Sequence, residues 1–600
     1  MFKATSILSL ASLLALASST PVIQTRQQSN DKPLLQDFDS LGAWFDGVAA
    51  ISSTAIPRRD NVSIAIVGAG ITGLSTALML ESIGIHNWEI IEASDRVGGR
   101  FRTKFVGGTQ EFAEMGPMRL PYSITYKSDN STHEYTDHRM VWQLADWLNE
   151  LNQHDPKWEV GFIPWIQHSP NELLARGTGR HPDGRIPTRA EIAANASLAS
   201  KSGLSTQEYK DTKAEMDKLL KDEKTLKSIQ RDVWRAHKHA MEANLDDYSE
   251  QALMRTVLGA SENVTDSIWT GTDYDVFWDE MVHNSNLAQE GSDSALGETE
   301  WKCVDGGFDR LSDAFIPHVQ DRLFLNRKVT KVEAIESGNT TSKNRITWQT
   351  GSGKNRTFGC KEYDYTLMAA PFTMTRFMDL PAFSSVLSRA ISEAGLRFKS
   401  ACKVALLFEE RFWEKGERPI FGGYSQPESI AVGALYYPGY GLNETGRPGV
   451  IIHYRGGDWS DRFVSMFDQT HVDLVLDAIV SLHGEEARDL YTGDYERLCW
   501  LQDEFTATSW TRPDVEQHKL YIPAYHRTEK NIIFLGEHTA PTHAWVSSSL
   551  HESVRGSVQL LLELGMVEEA KELNQRWMGR WIGLEDESYV VSPVAGVLKN

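Results

Sequence analysis

The chain has 600 residues, of which 41% are hydrophobic and 24% are charged, and its formal net charge at pH 7 is −21. This length suffices for two or three domains with sizeable cores, and the composition is that of a globular protein. The negative charge argues against nucleic acid or an anionic membrane surface as the partner.

The N-terminus predicts a secretory signal peptide over residues 1–19. Met1-Phe2-Lys3 is followed by an apolar stretch over 7–17 and then by small residues, a run too short to cross a bilayer. No later stretch is long and apolar enough to be transmembrane, so we expect a soluble, secreted protein. Sequons predict a glycoprotein on a eukaryotic secretory route, and they begin at Asn61, Asn130, Asn195, Asn263, Asn339, Asn355 and Asn443.

Residues 20–59 form a polar leader that ends at the dibasic pair Arg58-Arg59. Removal of this leader as a propeptide and its retention as an attached segment both stay open. The first apolar strand, Ile64–Val67, follows directly.

The segment from this strand to Glu92 predicts a dinucleotide site. The strand enters Gly68-Ala69-Gly70-Ile71-Thr72-Gly73, a helix-like segment follows, and a second apolar run over 89–91 ends at Glu92. In such a unit the first glycine permits a tight turn, the second admits a pyrophosphate to the positive end of the helix, and the third allows close helix–strand packing. Glu92 can accept hydrogen bonds from the ribose hydroxyls of an adenosine.

A basic turn after Glu92 favours FAD over a nicotinamide cofactor. The turn reads Arg96-Val97-Gly98-Gly99-Arg100. Because FAD is elongated, it needs cationic and backbone contacts along its pyrophosphate and ribityl chain, which Arg96, Gly99 and Arg100 can supply. The alternative is a solvated basic turn.

Three blocks of the chain resemble the flavin amine oxidase family, and in particular its secreted L-amino-acid oxidase branch of venom and fungal type. They are the segment 92–100, the segment 114–121 (EMGPMRLP), and the segment 534–546 with FLGEHT and HAWV. The resemblance covers about residues 62–564. It implies an α/β fold with a discontinuous, Rossmann-like FAD-binding domain, a two-layer α+β substrate domain with a mixed sheet, and a helical insertion.

The resemblance also sets the expected domain bounds. After the signal peptide and the leader, they are 60–125, 300–375 and 500–565 for the FAD-binding domain, 126–139 and 376–499 for the substrate domain, 140–299 for the helical domain, and 566–600 for a C-terminal tail. Within them, residues 206–244 read as helix and the segments 323–332, 365–371, 398–412 and 449–454 read as strands.

The family motifs imply a set of residues that contact FAD. These residues are Gly68, Gly70, Ile71, Thr72, Gly73, Glu92, Ala93, Arg96, Gly99, Arg100, Gly116, Pro117, Met118, Arg119, Val329, Gly536, Glu537, Ala544, Trp545, Val546 and Ser549. Val329 matches the position whose backbone contacts the adenine.

Arg119 and Tyr454 are the candidates for binding a substrate carboxylate. The planar fork of an arginine matches two carboxylate oxygens, and the family keeps an arginine and a tyrosine at these positions. For Arg119 the alternative is a structural ion pair with Glu111 or Glu114, and for Tyr454 it is a half-buried packing residue.

Lys403 and Trp545 are the candidates for the chemistry. Lys403 lies in an apolar strand pattern, where a charge is costly, and many family members use a lysine here to hold a water beside the flavin. Trp545, with Trp510 as a second wall, is expected to form an apolar slot that excludes water, and the carbonyl of Ala544 is expected to accept from the substrate amine. The alternatives are a solvent-facing lysine and core tryptophans.

The cysteines indicate no metal centre. Cys303, Cys360, Cys402 and Cys499 are scattered without CxxC spacing, so neither a zinc site nor a disulfide scaffold is predicted. Cys402 reads as a small core residue, and a single disulfide stays open.

Two positions depart from the venom-type pattern. Venom-type members have an active-site histidine in the helical region, where this chain aligns Glu290, with His283 seven residues earlier, so no catalytic base is assigned. A segment that is usually glycine-rich reads HKLYIP over 518–523, which predicts a different side-chain preference.

The leading hypothesis is an FAD-dependent oxidase that converts L-amino acids into 2-oxo acids with release of ammonia and hydrogen peroxide. Its partners are the amino acid and dioxygen, and the family implies a homodimer or homotetramer. The alternatives are a monoamine or polyamine oxidase, a decarboxylating amino-acid 2-monooxygenase on the same fold, and a secreted binding protein that has lost catalysis.

Overall fold

The structure is a computed structural model in which the described residues are 56–59, 61–199, 204, 206–220, 222–268, 278–279, 281–282, 297–338 and 340–579. The predicted signal peptide, residues 20–55 of the predicted leader and residues 580–600 of the predicted tail lie outside these ranges. Among the described residues we find no helix that combines the length and the apolar character needed to cross a membrane.

Strands occur along the whole described chain. In order they are β1 (Ile64–Val67), β2 (Trp88–Ile91), β3 (Thr103–Phe105), β4 (Phe112–Glu114), β5 (Leu120–Tyr126), β6 (Thr132–Glu134), β7 (Phe162–Trp165), β8 (Gly297–Val304), β9 (Leu323–Phe324), β10 (Lys328–Ser337), β11 (Thr340–Thr350), β12 (Thr357–Tyr363), β13 (Tyr365–Met368), β14 (Phe398–Lys399), β15 (Ala401–Phe408), β16 (Tyr424–Ser425), β17 (Ala434–Tyr436), β18 (Gly449–Gly456), β19 (Tyr491–Cys499), β20 (Trp510–Thr511) and β21 (Ile532–Phe534).

Helices connect and cover these strands. The α-helices are α1 (Ile71–Ser82), α2 (Thr136–Leu151), α3 (Arg189–Ala194), α4 (Gln207–Leu220), α5 (Glu223–Arg231), α6 (Val233–Glu242), α7 (Glu250–Thr256), α8 (Glu262–Ile268), α9 (Asp309–Asp313), α10 (Ile316–Val319), α11 (Phe372–Thr375), α12 (Ser385–Ile391), α13 (Asp458–Val464), α14 (Asp468–His483), α15 (Glu486–Asp489), α16 (Gln517–Tyr525), α17 (Val546–Glu563) and α18 (Val567–Asn574). Short 3₁₀ turns cover Val106–Gly108, Gln320–Arg322, Gly353–Asn355, Phe412–Glu414, Trp500–Gln502 and Glu537–Thr539, and a π-helical turn covers Gln575–Gly579.

Five parallel strands form the predicted dinucleotide sheet, in the order β21-β13-β1-β2-β9. β1 is buried at every position because both faces of the sheet are covered. Ile64 and Ile66 lie in the core with α1 and α17, whereas Ala65 and Val67 lie in the core on the opposite face. The strands come from segments far apart in sequence, which is the predicted discontinuous α/β arrangement.

A second, antiparallel sheet, in the order β16-β17-β18-β15-β19, holds the central strand of the substrate region. β15 is buried along its whole length. Val404, Leu406 and Phe408 pack with α14 on one face, and Ala405 and Leu407 pack on the other. Burial on both faces explains why β15 reads as a continuous apolar run interrupted only by Lys403.

One sequence prediction needs correction, and the structure adds detail to two others. The strand predicted over 323–332 is two strands in different sheets, because β9 joins the parallel sheet whereas β10 joins the antiparallel sheet β10-β11-β12. The mostly helical region 140–299 contains β7 and the start of β8, which extend the sheet β6-β5-β8-β7 and bury its apolar residues. The predicted tail begins as helix, since α18 packs against α17.

A disulfide resolves the question left open for the cysteines. Cys402 and Cys499 lie directly opposite each other on β15 and β19 and are bonded, closing a sequence separation of 97 residues. Cys402 is also fully buried, as predicted for a core residue. Cys303 is a buried free thiol and Cys360 is an exposed one.

The dibasic pair at the end of the leader is attached to the C-terminal helices. Arg58 Nη1 lies 2.5 Å from Glu569 Oε1, and the Arg59 backbone N–H donates to the carbonyl of Leu564. Arg59 Nη2 also donates to the hydroxyl of Tyr365 at 2.8 Å. This segment is therefore held on the folded domain at both arginines.

Candidate active site

A cavity of about 470 Å³ lies at the carboxyl ends of β1, β2 and β13. Residues that directly follow these strands line it, including Gly68, Glu92 and Ala369. In open α/β sheets, ligands bind in the crevice outside the carboxyl ends of the strands. The position and the size of the cavity are those of a small-molecule site.

The glycine-rich turn builds one wall of this cavity. Gly68 has a φ of 110°, a conformation that favours glycine. A Cβ on Gly73 would lie 2.0 Å from the carbonyl oxygen of Gly68, so this position admits no side chain and brings α1 against the turn. A Cβ on Gly70 would meet no protein atom closer than 4.0 Å, which leaves the backbone open to the cavity.

The N-terminus of α1 has no capping side chain among the described residues. Its N-cap, Gly70, makes no side-chain hydrogen bond, and its first turn has no acidic residue. The first N–H groups of a helix carry partial positive charge and need acceptors. This end of α1 therefore suits an anionic group such as a pyrophosphate.

Glu92 is held in place by the backbone around the turn. Its carboxylate accepts hydrogen bonds from the Ala69 N–H at 2.6 Å and from the Ser94 N–H and Oγ at 2.8 Å. The side chain is nearly buried and lines the cavity. It is thus fixed at the position where the sequence predicts contacts to a ribose.

The basic turn contributes two arginines with different surroundings. Arg96 donates to the carbonyls of Val97 and Gly99, which fixes the turn itself. Arg100 Nη1 lies 2.9 Å from Glu537 Oε2. Both arginines line the cavity, so the alternative of a solvated turn is wrong.

Glu537 joins the basic turn to the C-terminal motif. Its buried carboxylate pairs with Arg100 and accepts from the Thr511 N–H at 3.0 Å and from the Ala544 N–H at 3.1 Å. Burial by itself raises the pKa of Glu537, but the Arg100 charge and the bond to His543 outweigh burial and hold that pKa well below its usual value. The side chain is therefore ionised throughout the physiological range.

Arg119 lies beside aromatic residues and an amide. Its guanidinium carbon lies 5.0 Å from the ring centroid of Trp301, and its Nη1 donates to Gln167 Oε1. The predicted alternative, an ion pair of Arg119 with Glu111 or Glu114, is not formed among these described residues. Glu111 pairs with Arg411 at 2.9 Å instead. Glu114 accepts hydrogen bonds from Thr103 and from the Phe308 N–H. Arg119 lines the cavity, and the planar fork of a guanidinium matches the two oxygens of a carboxylate.

Lys403 is a buried lysine at the centre of the site. Its side chain is 3% exposed, and its ammonium donates to the carbonyls of Glu114 at 2.8 Å and Gly116 at 2.6 Å. Burial lowers its pKa from the usual value, although the nearby Glu114 carboxyl opposes that shift. The alternative of a lysine that faces solvent is wrong, because β15 is covered on both faces.

Tyr454 and Trp545 occupy the same cavity. Tyr454 lies opposite Lys403 in the β15–β18 register, and its ring centroid is 5.4 Å from the ammonium. Trp545 stacks on Trp301 at 6.3 Å, so the same tryptophan contacts both Trp545 and Arg119. Ala544 has a φ of 69°, a strained conformation that its hydrogen bond to Glu537 helps to hold.

The cavity brings together nearly every residue that the sequence singles out. All the predicted cofactor, substrate and catalytic residues line it except Gly73, which sits behind the turn as its packing role requires. Sequence reasoning missed several others. The missed lining residues include Phe101, Arg102, Met115, Asp279, Arg327, Met374, Phe377, Trp500, Asp503, Phe505, Ser509 and His543.

Most of the missed residues carried no usable signal. Trp500 and Asp503 follow β19 and lie near no motif. Met115 and His543 lie inside the EMGPMRLP and HAWV motifs, and the sequence could have indicated them. Glu290 and His283, the positions considered for a venom-type histidine, lie outside the described residues. Asp279 and Val282 line the cavity from that region instead.

Comparison with known proteins agrees with this geometry. Residues 71–561 match the family model described as flavin containing amine oxidoreductase. The chain belongs to this family. Relatives of this flavin-containing amine oxidoreductase include an L-amino-acid oxidase of Neurospora crassa, 38% identical over 90% of this chain and 78% of that protein, and one of Siganus canaliculatus, 25% identical over 84% of this chain and 87% of that protein.

Solved structures of amine oxidases share the fold of this flavin-containing amine oxidoreductase. A putrescine oxidase bound to putrescine superposes with a TM-score of 0.57 and 18% identity, covering 83% of this chain and 99% of that one. Cyclohexylamine oxidase from Brevibacterium oxydans superposes with a TM-score of 0.56 and 19% identity, covering 86% of this chain and 99% of that one. At these identities the likeness concerns the fold.

The residues present fit the flavin that membership of the family implies. The open backbone at Gly70 and the uncapped end of α1 suit its phosphate, and Arg96 and Arg100 lie in the same wall. Two buried polar atoms of the lining, Arg102 Nε and Ser509 Oγ, have no hydrogen-bond partner within the described part of the protein. Buried polar atoms normally have partners, so a bound polar ligand accounts for them.

Proposed function

We propose that this protein is a secreted, FAD-dependent L-amino-acid oxidase that forms a 2-oxo acid, ammonia and hydrogen peroxide. The observation that carries the proposal is the placement of Arg119 in the cavity that begins at the glycine-rich turn, against Trp301, which in turn stacks on Trp545. A guanidinium at that place distinguishes a substrate with a carboxylate from a simple amine. The relatives named L-amino-acid oxidase support the same conclusion.

FAD is the proposed form of the flavin. The cavity continues from the pyrophosphate end of α1 to Glu92 and Val329, where an adenosine half would be held. When bound, FAD supplies the redox chemistry, taking two electrons from the substrate and giving them to dioxygen. The protein supplies orientation, exclusion of water and electrostatics.

The substrate is proposed to bind by its acid end. Arg119 and Tyr454 hold the carboxylate, and the Ala544 carbonyl accepts from the neutral amine. Trp545 and Trp510 form the apolar walls that exclude water from the reacting carbon. These roles use groups that line one cavity and belong to four separate segments of the chain.

Lys403 is proposed to hold a water near the flavin. Two of its N–H groups are used by the carbonyls of Glu114 and Gly116, and the third contacts Met118 Sδ at 3.7 Å. A thioether is a weak acceptor, so a water can replace this contact. Such a water can assist hydrolysis of the imino product.

The test is peroxide release from a panel of L-amino acids, D-amino acids and amines, with 2-oxo acid and amide products measured separately. We expect Arg119→Ala to lower kcat/KM for L-amino acids by roughly 30-fold or more, the effect of losing about 2 kcal/mol from a charged contact, and to leave amine turnover unaffected. Arg488→Ala is the control because Arg488 is an exposed arginine in a surface pair. Unchanged amino-acid kinetics in Arg119→Ala would refute the carboxylate role, and an amide product would indicate the decarboxylating monooxygenase.

Secretion and assembly are proposals of their own. We expect export with removal of residues 1–19, and a homodimer or homotetramer in solution. N-terminal sequencing of secreted protein distinguishes a start near residue 20 from a start at residue 60, and light scattering gives the assembly. The contacts of Arg58 and Arg59 with the C-terminal helices favour a leader whose last residues stay bound.

A further inference from the structure

We propose that Asp279, His518 and His543 form a site for a divalent transition-metal ion of the Zn²⁺ class in the wall of the cavity. The three residues come from three distant segments, so no ligand spacing in the sequence points to them. Two imidazoles and one carboxylate are a common donor set for Zn²⁺. The proposal is independent of the substrate assigned above.

The geometry of the donor atoms is close to that of a bound ion. One donor atom from each residue lies within 4.8 Å of the other two. His518 Nε2 and Asp279 Oδ1 are 3.5 Å apart. Ligand atoms at about 2.1 Å from a tetrahedral ion are about 3.4 Å apart. Small side-chain rotations would therefore bring all three donor atoms within coordination distance of one ion.

The ring and carboxylate atoms that face one another in this cluster have no hydrogen-bond partner among the described residues. His518 Nε2, His543 Nε2 and Asp279 Oδ2 are buried and make no hydrogen bond within the described part of the chain. Both histidines are more than nine-tenths buried. Three unsatisfied donors or acceptors at one place are unusual, and a shared ion satisfies them together.

The outer atoms of the histidines are bonded as in metal sites. His543 Nδ1 lies 3.2 Å from the carbonyl oxygen of Glu537, and His518 Nδ1 lies 3.2 Å from His237 Nε2. A metal-binding histidine usually donates its second ring N–H to such a group, which fixes the tautomer and presents the other nitrogen to the ion.

The electrostatic surroundings favour a cation. In addition to Asp279, the carboxylate of Asp246 lies near His518 and that of Glu537, which also pairs with Arg100, lies near His543. Asp279 and His543 line the cavity, so an ion can enter from it. Three protein ligands leave a fourth position for water or for a ligand in the cavity.

The site also has a structural consequence. His543 directly precedes Ala544 and Trp545, whereas Asp279 belongs to the helical region. A bound ion would tie that region to the wall that carries Trp545. Because it binds the folded protein only, it raises the melting temperature.

The experiment uses untagged, chelator-treated holoenzyme with its flavin retained. Zn²⁺ or Co²⁺ is added to this protein, and unbound metal is removed by gel filtration. We expect about one equivalent of Zn²⁺ to remain bound. We expect bound Co²⁺ to produce d–d bands at wavelengths longer than those the flavin absorbs. Asp279→Asn and His518→Gln should each weaken Zn²⁺ binding at least tenfold. His86→Gln, an exposed histidine beside Glu81, is the control that should bind as the wild type does.

Wild-type affinity in both Asp279→Asn and His518→Gln, or no retained Zn²⁺ in the wild type, overturns the proposal. If a variant loses its flavin absorbance, its Zn²⁺ affinity no longer reports on the site. In that case X-ray absorption of the Zn²⁺-loaded wild type identifies the ligands of the ion. Two imidazole ligands with oxygen support the site, whereas sulfur ligands or oxygen alone refute it.

Discussion

At the scale of single residues, Glu537 shows how one buried charge organises the site. Its carboxylate pairs with Arg100 from the basic turn and accepts from backbone groups at Thr511 and Ala544. The strained conformation of Ala544 and the position of Arg100 thus depend on the same side chain. Removing one partner of a buried pair leaves the other charge uncompensated, which costs more than the pair itself contributes.

We expect Glu537→Gln to lower the free energy of unfolding by about 2–3 kcal/mol, because Arg100 would lose its counter-charge while remaining largely enclosed. Flavin retention should fall as well. Denaturant titration and flavin absorbance measure both effects. Glu362→Gln is the matched control, since Glu362 and Arg345 pair at 2.7 Å on an exposed surface where ion pairs contribute little. Equal losses in the two variants would contradict the account.

At the scale of elements, the contact between α1 and the glycine-rich turn sets the entrance to the cofactor site. The Cβ position of Gly73 lies 2.0 Å from the Gly68 oxygen and 3.3 Å from the Ile66 side chain. The helix therefore approaches β1 as closely as a glycine allows. This close approach places the positive end of α1 at the cavity.

Gly73→Ala should displace α1 and release the flavin, although alanine is the better helix former. We expect loss of the yellow chromophore on purification or a flavin Kd raised at least tenfold, measured by fluorescence. Ser75→Ala is the control in the same helix, because the buried Ser75 hydroxyl has no hydrogen-bond partner in the described ranges and its removal costs little. A Gly73→Ala protein that keeps its flavin would show that the contact is not needed.

At the scale of the whole molecule, the substrate region carries buried histidines that must stay neutral. His471 is fully buried, stacks on Phe463 at 4.2 Å, and accepts from Arg497 Nε at its Nδ1. Burial, with the charge of Arg497, lowers the pKa of His471 to about 4, and burial lowers that of His453 as well. Unfolding exposes both rings to water, where they protonate near pH 6.5.

The fold should therefore lose stability as pH falls. As pH falls, His471 binds a proton in the unfolded chain before it does so in the folded protein. The free energy of unfolding is therefore unaffected by titration of His471 above about pH 6.5. Below that pH it decreases by up to about 1.4 kcal/mol per pH unit, down to about pH 4. Melting temperatures of the holoenzyme between pH 7.5 and pH 4, in steps, measure the slope. His471→Gln should give a shallower slope, and the exposed His154→Gln should give the wild-type one. Identical slopes in the three proteins would contradict the assignment.

The sequence alone determined the features that depend on local patterns. The turn Gly68–Gly73, the acid at Glu92 and the basic turn are all within one stretch, and their spacing follows from the strand–turn–helix geometry. The family motifs then located Arg119, Lys403, Tyr454 and Trp545 one by one. Only the tertiary structure decided how they meet, because strands far apart in sequence form one sheet and the cavity opens where they end.

Contacts between distant segments leave no periodic signal in a sequence, which is why the pairing of Cys402 with Cys499, the partners of Glu111 and the cluster around Asp279 were not foreseen. The strand predicted over 323–332 failed for a related reason. Its apolar pattern continues across a turn, and only the neighbouring strands decide that β9 and β10 belong to different sheets. Hydrophobic burial thus determined which segments are strands, and packing between distant segments determined where each side chain acts.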